Sequence, residues 1–124
     1  MDKINISDGE WKLMKLLWES APRTIGEMVD ALKSDTGWSK TTIFVMLNRL
    51  ISKGAVRMED GERAHLYYPE VTRDEIAEEE TESFLSRVYD GSVGMMISAL
   101  ADRNALTKKE INELRRILDE AEGN

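Results

Sequence analysis

The sequence predicts a mainly α-helical protein that contains one small β-hairpin. Most of the chain carries apolar residues at helical spacing. One central segment instead has the alternating pattern of β-strands on either side of the turn dipeptide Asp60-Gly61. With 124 residues, of which 41% are hydrophobic, the chain is long enough to bury a core. We expect an N-terminal domain over residues 1–71 and a helical module over residues 72–124.

The first two predicted helices each begin with a capping box, in which the N-cap side chain and a Glu three positions later bond each other's backbone N–H groups. Ser7 with Glu10 opens the first helix, and Thr24 with Glu27 opens the second. We expect Gly37 to stop the second helix, with Asp35–Trp38 as a short connection. The turn around Gly37 leads into a third helix, and two short helices joined in this way form a helix-turn-helix.

The third predicted helix, Ser39 to Lys53, has two unlike faces. One face is apolar and should pack on the core, and the other carries no acidic residue in a chain with 24 Asp and Glu. An ordinary amphipathic surface helix is one interpretation, but a short polar face flanked by cations suits the major groove of DNA. The residues of this helix that we expect to contact DNA are Ser39, Lys40, Thr41, Thr42, Phe44, Val45, Asn48 and Arg49.

A predicted β-hairpin follows this helix directly. Ala55–Met58 and Ala64–Tyr68 have strand character on either side of the Asp60-Gly61 turn. A hairpin placed after a helix-turn-helix makes a winged-helix arrangement. Acidic side chains crowd its tip, so Arg63 is the one cation that we expect to reach DNA from the wing.

The second half of the chain is expected to form three more helices, over Arg73–Tyr89, from Val93 to Leu100 and from the capping residue Thr107 onward. Short amphipathic helices cannot easily bury their apolar faces alone. We therefore interpret this half as a dimerisation module, because symmetric dimers are the usual solution. The residues expected at the dimer interface are Met96, Ile97, Leu100, Leu114, Ile117 and Leu118.

The net charge of −7 argues at first sight against a nucleic-acid partner. Residues up to Val71, however, include ten Lys and Arg and eleven Asp and Glu. Residues from Thr72 onward include seven Lys and Arg and thirteen Asp and Glu. The acidic residues therefore concentrate in the second half. A local basic patch in the first half can still hold phosphates.

The composition also argues against an enzyme, a metal site and a membrane anchor. The chain has no cysteine and a single histidine, His65, so we expect no catalytic centre, metal site or cofactor. No apolar run approaches the roughly 20 residues that span a bilayer, and the N-terminus lacks an apolar secretion signal. We expect a cytoplasmic protein that does not insert into a membrane.

An ordered set of segments resembles one known family. The segments are ISDGEWKLMKLLW, WSKTTIFVMLNRLISKGAV, the strand Leu66–Pro69, SFLSRVYDGSVGMMISAL and LTKKEINELRRILDE. Together they resemble the penicillinase repressors (BlaI/MecI). The resemblance implies a winged-helix homodimer that binds a dyad-symmetric operator in double-stranded DNA and represses antibiotic-resistance genes such as those for beta-lactamase. In the best-known members a membrane-bound sensor protease triggers cleavage in the dimerisation region.

Three departures from the family pattern bear on function. Lys40-Thr41 stands where the family writes Pro-Lys, and Phe44 and Val45 stand where polar residues are common, so the operator bases read should differ. Ala99-Leu100 aligns with the family's Asn-Phe cleavage bond, which makes these residues a possible cleavage site for a different protease. The copper-responsive relatives carry a cysteine cluster that is absent here, which excludes soft-metal sensing by that route.

The leading hypothesis is a dimeric winged-helix transcriptional repressor that binds its operator through the helix Ser39–Lys53. Two alternatives stay open at this point. One is a winged-helix module that binds protein instead of DNA, which the acidic wing tip and the net charge favour. The other is a repressor of the multidrug-resistance (MarR) type, with a small-molecule effector pocket between the wing and the dimer helices.

Overall fold

The structure is a computed structural model that describes residues 4–123. This part of the chain is mainly helical with one two-stranded antiparallel sheet, which confirms the predicted fold class. The elements in chain order are α1 (Asp8–Glu19), α2 (Ile25–Leu32), α3 (Lys40–Ser52), β1 (Val56–Asp60), β2 (His65–Pro69), α4 (Arg73–Tyr89), α5 (Val93–Asp102) and α6 (Lys108–Gly123).

The chain divides into two compact units, and the division falls between Glu79 and Glu80 inside α4. The domain boundary expected after Val71 stays a prediction. The first unit contains α1 to α3, the hairpin and the start of α4 up to Glu79. The second unit contains the rest of α4 together with α5 and α6. No helix among residues 4–123 is long and apolar enough to cross a membrane.

The core of the first unit forms where the apolar faces of its three helices meet the hairpin. Each helix contributes side chains at helical spacing, and the hairpin adds the inward face of its strands. Burial of these side chains is the main term that stabilises the unit. The buried hydrophobic residues are Ile6, Leu13, Met14, Leu17, Met28, Leu32, Ile43, Met46, Leu47, Leu50, Ala55, Val56, Tyr67 and Ile76.

Helix α1 has the capping box that the sequence predicts, and α2 has it as well. Helix α2 ends at Leu32, two residues earlier than the expected connection Asp35–Trp38 implies. The N–H groups of Thr36 and Gly37 both donate to the Leu32 carbonyl, at 2.9 and 3.2 Å, which closes the helix end with a turn. Gly37 then reverses the chain with a φ of 65°, a conformation that favours glycine.

The hairpin strands lie further along the chain than expected. Asp60 pairs with His65, so Asp60 ends β1 and the connection runs from Gly61 to Ala64. Of the predicted turn dipeptide, Asp60 therefore lies in the last pair of the ladder and Gly61 begins the connection. A Cβ on Gly61 would lie 2.5 Å from the Ala64 carbonyl oxygen, which accepts the Gly61 N–H at 3.0 Å. This close approach of backbone to backbone requires glycine.

A short backbone bridge joins the hairpin to the connection between α1 and α2. The Tyr67 N–H donates to the Arg23 carbonyl at 2.9 Å, and the Arg23 N–H donates to the Tyr67 carbonyl at 3.2 Å. The Trp18 indole N–H donates to the Val71 carbonyl at 2.8 Å. The base of the wing is thus bonded to the helices at two places that the sequence did not reveal.

The second unit has much less buried surface. Helix α4 has the predicted bounds, α5 continues two residues past the expected Leu100, and Thr107 and Glu110 form the predicted capping box of α6. No described residue of this unit is buried. Its large exposed hydrophobic residues are Phe84, Val88, Val93, Met95, Leu100, Ile111, Ile117 and Leu118.

Candidate nucleic-acid interface

Helix α3 is held in place by its apolar face. Ile43, Leu47 and Leu50 are fully buried, and Met46 is 9% exposed. At the helix start the Ser39 hydroxyl accepts the Thr42 N–H at 3.2 Å, which satisfies one of the free donors there. The predicted helix from Ser39 to Lys53 is therefore present, with these two residues as its caps.

The opposite face of α3 is exposed and free of acidic residues. All eight of the residues predicted on this segment are exposed, including the bulky side chains of Phe44 (44%) and Val45 (43%). Apolar residues on a polar face are available for contact with thymine methyl groups. The Ser39 and Thr42 hydroxyls bond each other at 3.1 Å, so capping occupies them.

The cations around α3 fall into two groups. Lys40 and Arg49 are exposed and form no ion pair with any residue of the described range. Lys53, in contrast, has its Nζ atom 2.5 Å from Oε1 of the buried Glu10. The sequence suggested Lys53 as a cation that flanks the outer face of α3, but its ammonium group is paired with the buried Glu10 carboxylate.

A groove of about 670 Å³ runs between α3, the start of α2 and the wing tip. Lys40 and Arg63 both line it, so the structure brings the predicted wing cation beside the predicted recognition helix. The backbone N–H groups at a helix N-terminus favour a phosphate, and the first turn of α2 opens on this groove. The other lining residues are Thr24, Ile25, Gly26, Phe44, Asp60, Gly61, Glu62, Ala64 and His65.

The groove also carries acidic side chains from the wing tip. Asp60 Oδ1 lies 3.0 Å from His65 Nδ1, across the last pair of the hairpin register. Glu62 is exposed at the tip. The electrostatic character of the groove is therefore mixed, and Lys40 and Arg63 supply its positive charge.

The outward face of the wing belongs to a separate cluster. Arg57 stacks on the Tyr68 ring with 4.1 Å between its guanidinium carbon and the ring centroid. It also pairs with Glu59 at 2.8 Å and with Glu70 at 3.5 Å. Because neighbouring strand residues point to opposite faces, Arg57 is directed away from the face that carries Asp60 and His65. Tyr67, on the opposite face of β2 from Tyr68, is buried.

In the second unit, the residues expected at a dimer interface are partly assembled. Ile97, Leu100, Leu114 and Ile117 line one apolar groove of about 200 Å³ between α5 and α6. Leu118 is 63% exposed on the same helix as Leu114, and Met96 is half-buried on α5. The possible cleavage site Ala99–Leu100 lies inside α5, within regular helix.

A model of the penicillinase repressor family matches residues 6–120. This chain belongs to the penicillinase repressor family. Its members are DNA-binding transcriptional repressors and not enzymes, so the family, the fold class and the non-enzymatic function are as predicted.

The chain is similar to one sequence relative and to two solved structures, over different shares of its length. The chain is 36% identical over 121 residues to the penicillinase repressor of Bacillus licheniformis, covering 97% of this chain and 94% of the relative. It is 36% identical, with a TM-score of 0.52, to the monomeric form of BlaI from Bacillus licheniformis in complex with the blaP half-operator, covering 60% of this chain and 92% of that one. Apo MarR from E. coli is 18% identical with a TM-score of 0.55, covering 94% and 78%, which shows the fold alone.

Sequence reasoning missed two contributions to this site. The start of α2 and His65 line the groove, but nothing local in the sequence indicates which loops meet there. Glu10 was identified as a capping residue only, and Lys53 as a cation at a helix end. Their ion pair joins residues 43 positions apart, and such a contact leaves no periodic signal in the sequence.

Proposed function

We propose that this chain is a transcriptional repressor that reads its operator with the exposed face of α3. The single observation that carries the proposal is the acid-free, exposed α3 face beside a groove lined by Lys40 and Arg63. The relative from Bacillus licheniformis is named a penicillinase repressor, and BlaI was solved on a half-operator. Both support double-stranded DNA as the partner of this chain.

We propose two classes of contact at the interface, one to base edges and one to phosphates. Thr41, Phe44, Val45 and Asn48 project from α3 and are proposed to touch base edges, Asn48 by hydrogen bonds and the two apolar side chains at thymine methyl groups. The cations are proposed to hold phosphates and set the register. They are Lys40, Arg49 and Arg63.

We propose that the protein acts as a homodimer on a dyad-symmetric operator. The second unit carries an apolar face on α5 and α6 that nothing in the described chain covers. A second copy would cover it and would present two α3 helices to half-sites about one DNA turn apart, or a small multiple of that distance. The proposed contacts are Met96, Ile97, Leu100, Leu114, Ile117 and Leu118.

The names of the relatives support a role in antibiotic resistance, and we propose beta-lactamase or related genes as targets. Release from DNA by a membrane-bound sensor protease is the corresponding proposal for induction. Because Ala99-Leu100 stands at the family's cleavage position, the cut should fall between Ile97 and Ala101 and need a different sensor. Since chromosomal operators lie in the cytoplasm, we propose that location for the chain.

A gel-shift titration against the promoter region of the chain's own gene, over a series of salt concentrations, tests this function. We expect a discrete complex that survives excess non-specific DNA, with affinity falling steeply as salt rises. A protein-binding winged-helix module would give no discrete complex at any salt concentration. A MarR-type repressor would release the same complex when a small effector is added, without loss of intact chain.

A further inference from the structure

The first turn of α1 lies against helix α3 at the middle of that helix and at its C-terminal cap. A Cβ on Gly9 would lie 2.7 Å from Cε of Met46 and 3.4 Å from the ring of Trp38, the residue before the α3 N-cap. Glu10, the next residue, reaches Lys53 at the other end of α3. Two adjacent residues of α1 therefore lie against α3, Gly9 beside Met46 in its middle and Glu10 at its C-cap Lys53.

Glu10 is an unusual core residue because it is a carboxylate at 1% exposure. Its Oε1 atom accepts the Ser7 N–H at 2.9 Å and the Lys53 ammonium at 2.5 Å. Burial alone would raise the pKa of Glu10, but the hydrogen bonds from Lys53 and Ser7 and the charge of Lys53 outweigh it and hold the pKa below its ordinary value. The carboxylate is therefore kept ionised and dependent on its partner.

Lys53 caps the C-terminal end of α3 and leaves a third of its side chain exposed. An ammonium that balances a buried carboxylate cannot move to a phosphate without leaving that carboxylate unpaired, which is strongly unfavourable. Lys40 and Arg49 are under no such constraint, because neither forms an ion pair within residues 4–123.

We propose that Glu10 and Lys53 are positioning residues for operator recognition. Their ion pair fixes the C-terminal end of α3 against α1, and so sets which outward side chains reach base edges, although neither residue touches DNA. Base readout needs side chains held within a fraction of an ångström, whereas phosphate contacts tolerate more freedom. The pair therefore serves discrimination between sequences and not general attraction to DNA. This inference rests on the proposed DNA-binding function.

The test compares Lys53→Met with Lys40→Met, two removals of one positive charge from the same helix. Affinity for the operator and for non-specific duplex is measured for each full-length variant over a salt series. We expect Lys40→Met to flatten the salt slope by about one unit. Lys53→Met should leave the non-specific salt slope unchanged and lower the ratio of operator to non-specific affinity roughly tenfold, as the loss of one base contact would.

A double variant separates positioning from simple stabilisation. Lys53→Met alone leaves a buried carboxylate unpaired and destabilises the fold, which a thermal melt would register. Adding Glu10→Gln removes that charge and should recover much of the stability, but the tie to α3 stays broken, so operator preference should stay low. Lys53→Arg keeps the tie and should keep the preference.

Three results would overturn the inference. One is a loss of about one unit of salt slope in Lys53→Met, which would identify Lys53 as a phosphate contact. Another is recovery of operator preference together with stability in the double variant, which would reduce the pair to a stabilising role. The third is a wild-type protein that shows no operator preference. That result would overturn the proposed function and this inference with it. Because it is obtained with the wild-type protein, it is distinguishable from the first two results, which require variants.

Discussion

Arg63 and Arg57 are both exposed cations of the wing, but only Arg63 lines the groove beside α3. Arg57 is stacked on Tyr68 and paired with two carboxylates on the other face. The value of a cation at a DNA interface thus depends on where it points and on what already neutralises it. Charge counts along the sequence do not contain this distinction.

Arg63→Ala should weaken binding to all DNA sequences alike, because the guanidinium is proposed to hold a phosphate. We expect the plot of log affinity against log salt to flatten by about one unit, with little change in operator preference. Arg57→Ala is the matched control on the same hairpin and should leave the slope unchanged. Equal slopes for the two variants would contradict the assignment of Arg63.

Asn48→Ala should act differently, because an amide side chain on the outer face of α3 can form paired hydrogen bonds with a base edge. The variant should lose operator preference by roughly five- to a hundredfold while non-specific binding is retained. Competition between operator and scrambled duplex measures this ratio. Asn112→Ala, an exposed asparagine of α6, is the control. If Asn48→Ala reduced specific and non-specific binding equally, its proposed role in base contact would be wrong.

At the scale of single elements, the helix starts are set by local chemistry. The capping boxes of α1, α2 and α6 all form as the sequence predicts. Capping holds the pKa of Glu27 and of Glu110 below the ordinary value, through hydrogen bonds from Thr24 and Thr107. Glu10 differs from these two because its carboxylate is also buried and paired with Lys53.

The stability of the first unit should fall at acidic pH, partly through Glu10. Its folded-state pKa is lowered from 4.5, so its contribution is fully present above that value and is lost as pH falls through the folded pKa. The free energy of unfolding, measured from pH 7 down to about pH 3, should therefore decline less steeply in Glu10→Gln than in wild type. Glu27, whose pKa is also lowered, contributes to the remaining slope. Parallel curves for the two proteins would show that Glu10 is not linked to folding.

Local patterns predicted the elements better than they predicted the contacts between them. Arg73–Tyr89 matches its helix to the residue, and the α3 helix lies where its caps placed it. The end of α2 and the ends of the wing strands were misplaced by one or two residues: the Leu32 carbonyl accepts the N–H groups of Thr36 and Gly37, and the Ala64 carbonyl accepts the Gly61 N–H. The groove and the Glu10–Lys53 pair depend on the tertiary fold, which no short window of sequence reports.

At the scale of the whole molecule, charge and apolar surface are distributed unequally. The chain is nearly neutral up to Val71 and acidic from Thr72 onward, and the first unit has the buried core whereas the second has its large hydrophobic residues exposed. An uncovered apolar face is consistent with the proposal that a second copy completes this unit.

The double variant Leu114→Asp and Leu118→Asp should give a monomer, because it would place unpaired charges in the proposed interface. Sedimentation equilibrium should report half the wild-type mass, and operator affinity should fall because two weak half-site contacts are no longer coupled. The double variant Lys109→Asp and Asn112→Asp changes the polar face of the same helix and should remain dimeric. A Leu114→Asp, Leu118→Asp protein that still sediments as a dimer would place the interface elsewhere.

The bridge between Arg23 and Tyr67 has a consequence for the kinetics of DNA encounter. Because both N–H groups of the bridge are bonded, and Trp18 holds the chain at Val71, the base of the wing is rigid before DNA arrives. Ordering a flexible loop on binding costs roughly 1–2 kcal/mol of conformational entropy for each residue that is fixed. Here that entropy is already lost on folding, so the wing can meet the duplex as a preformed surface and association is not slowed by its closure.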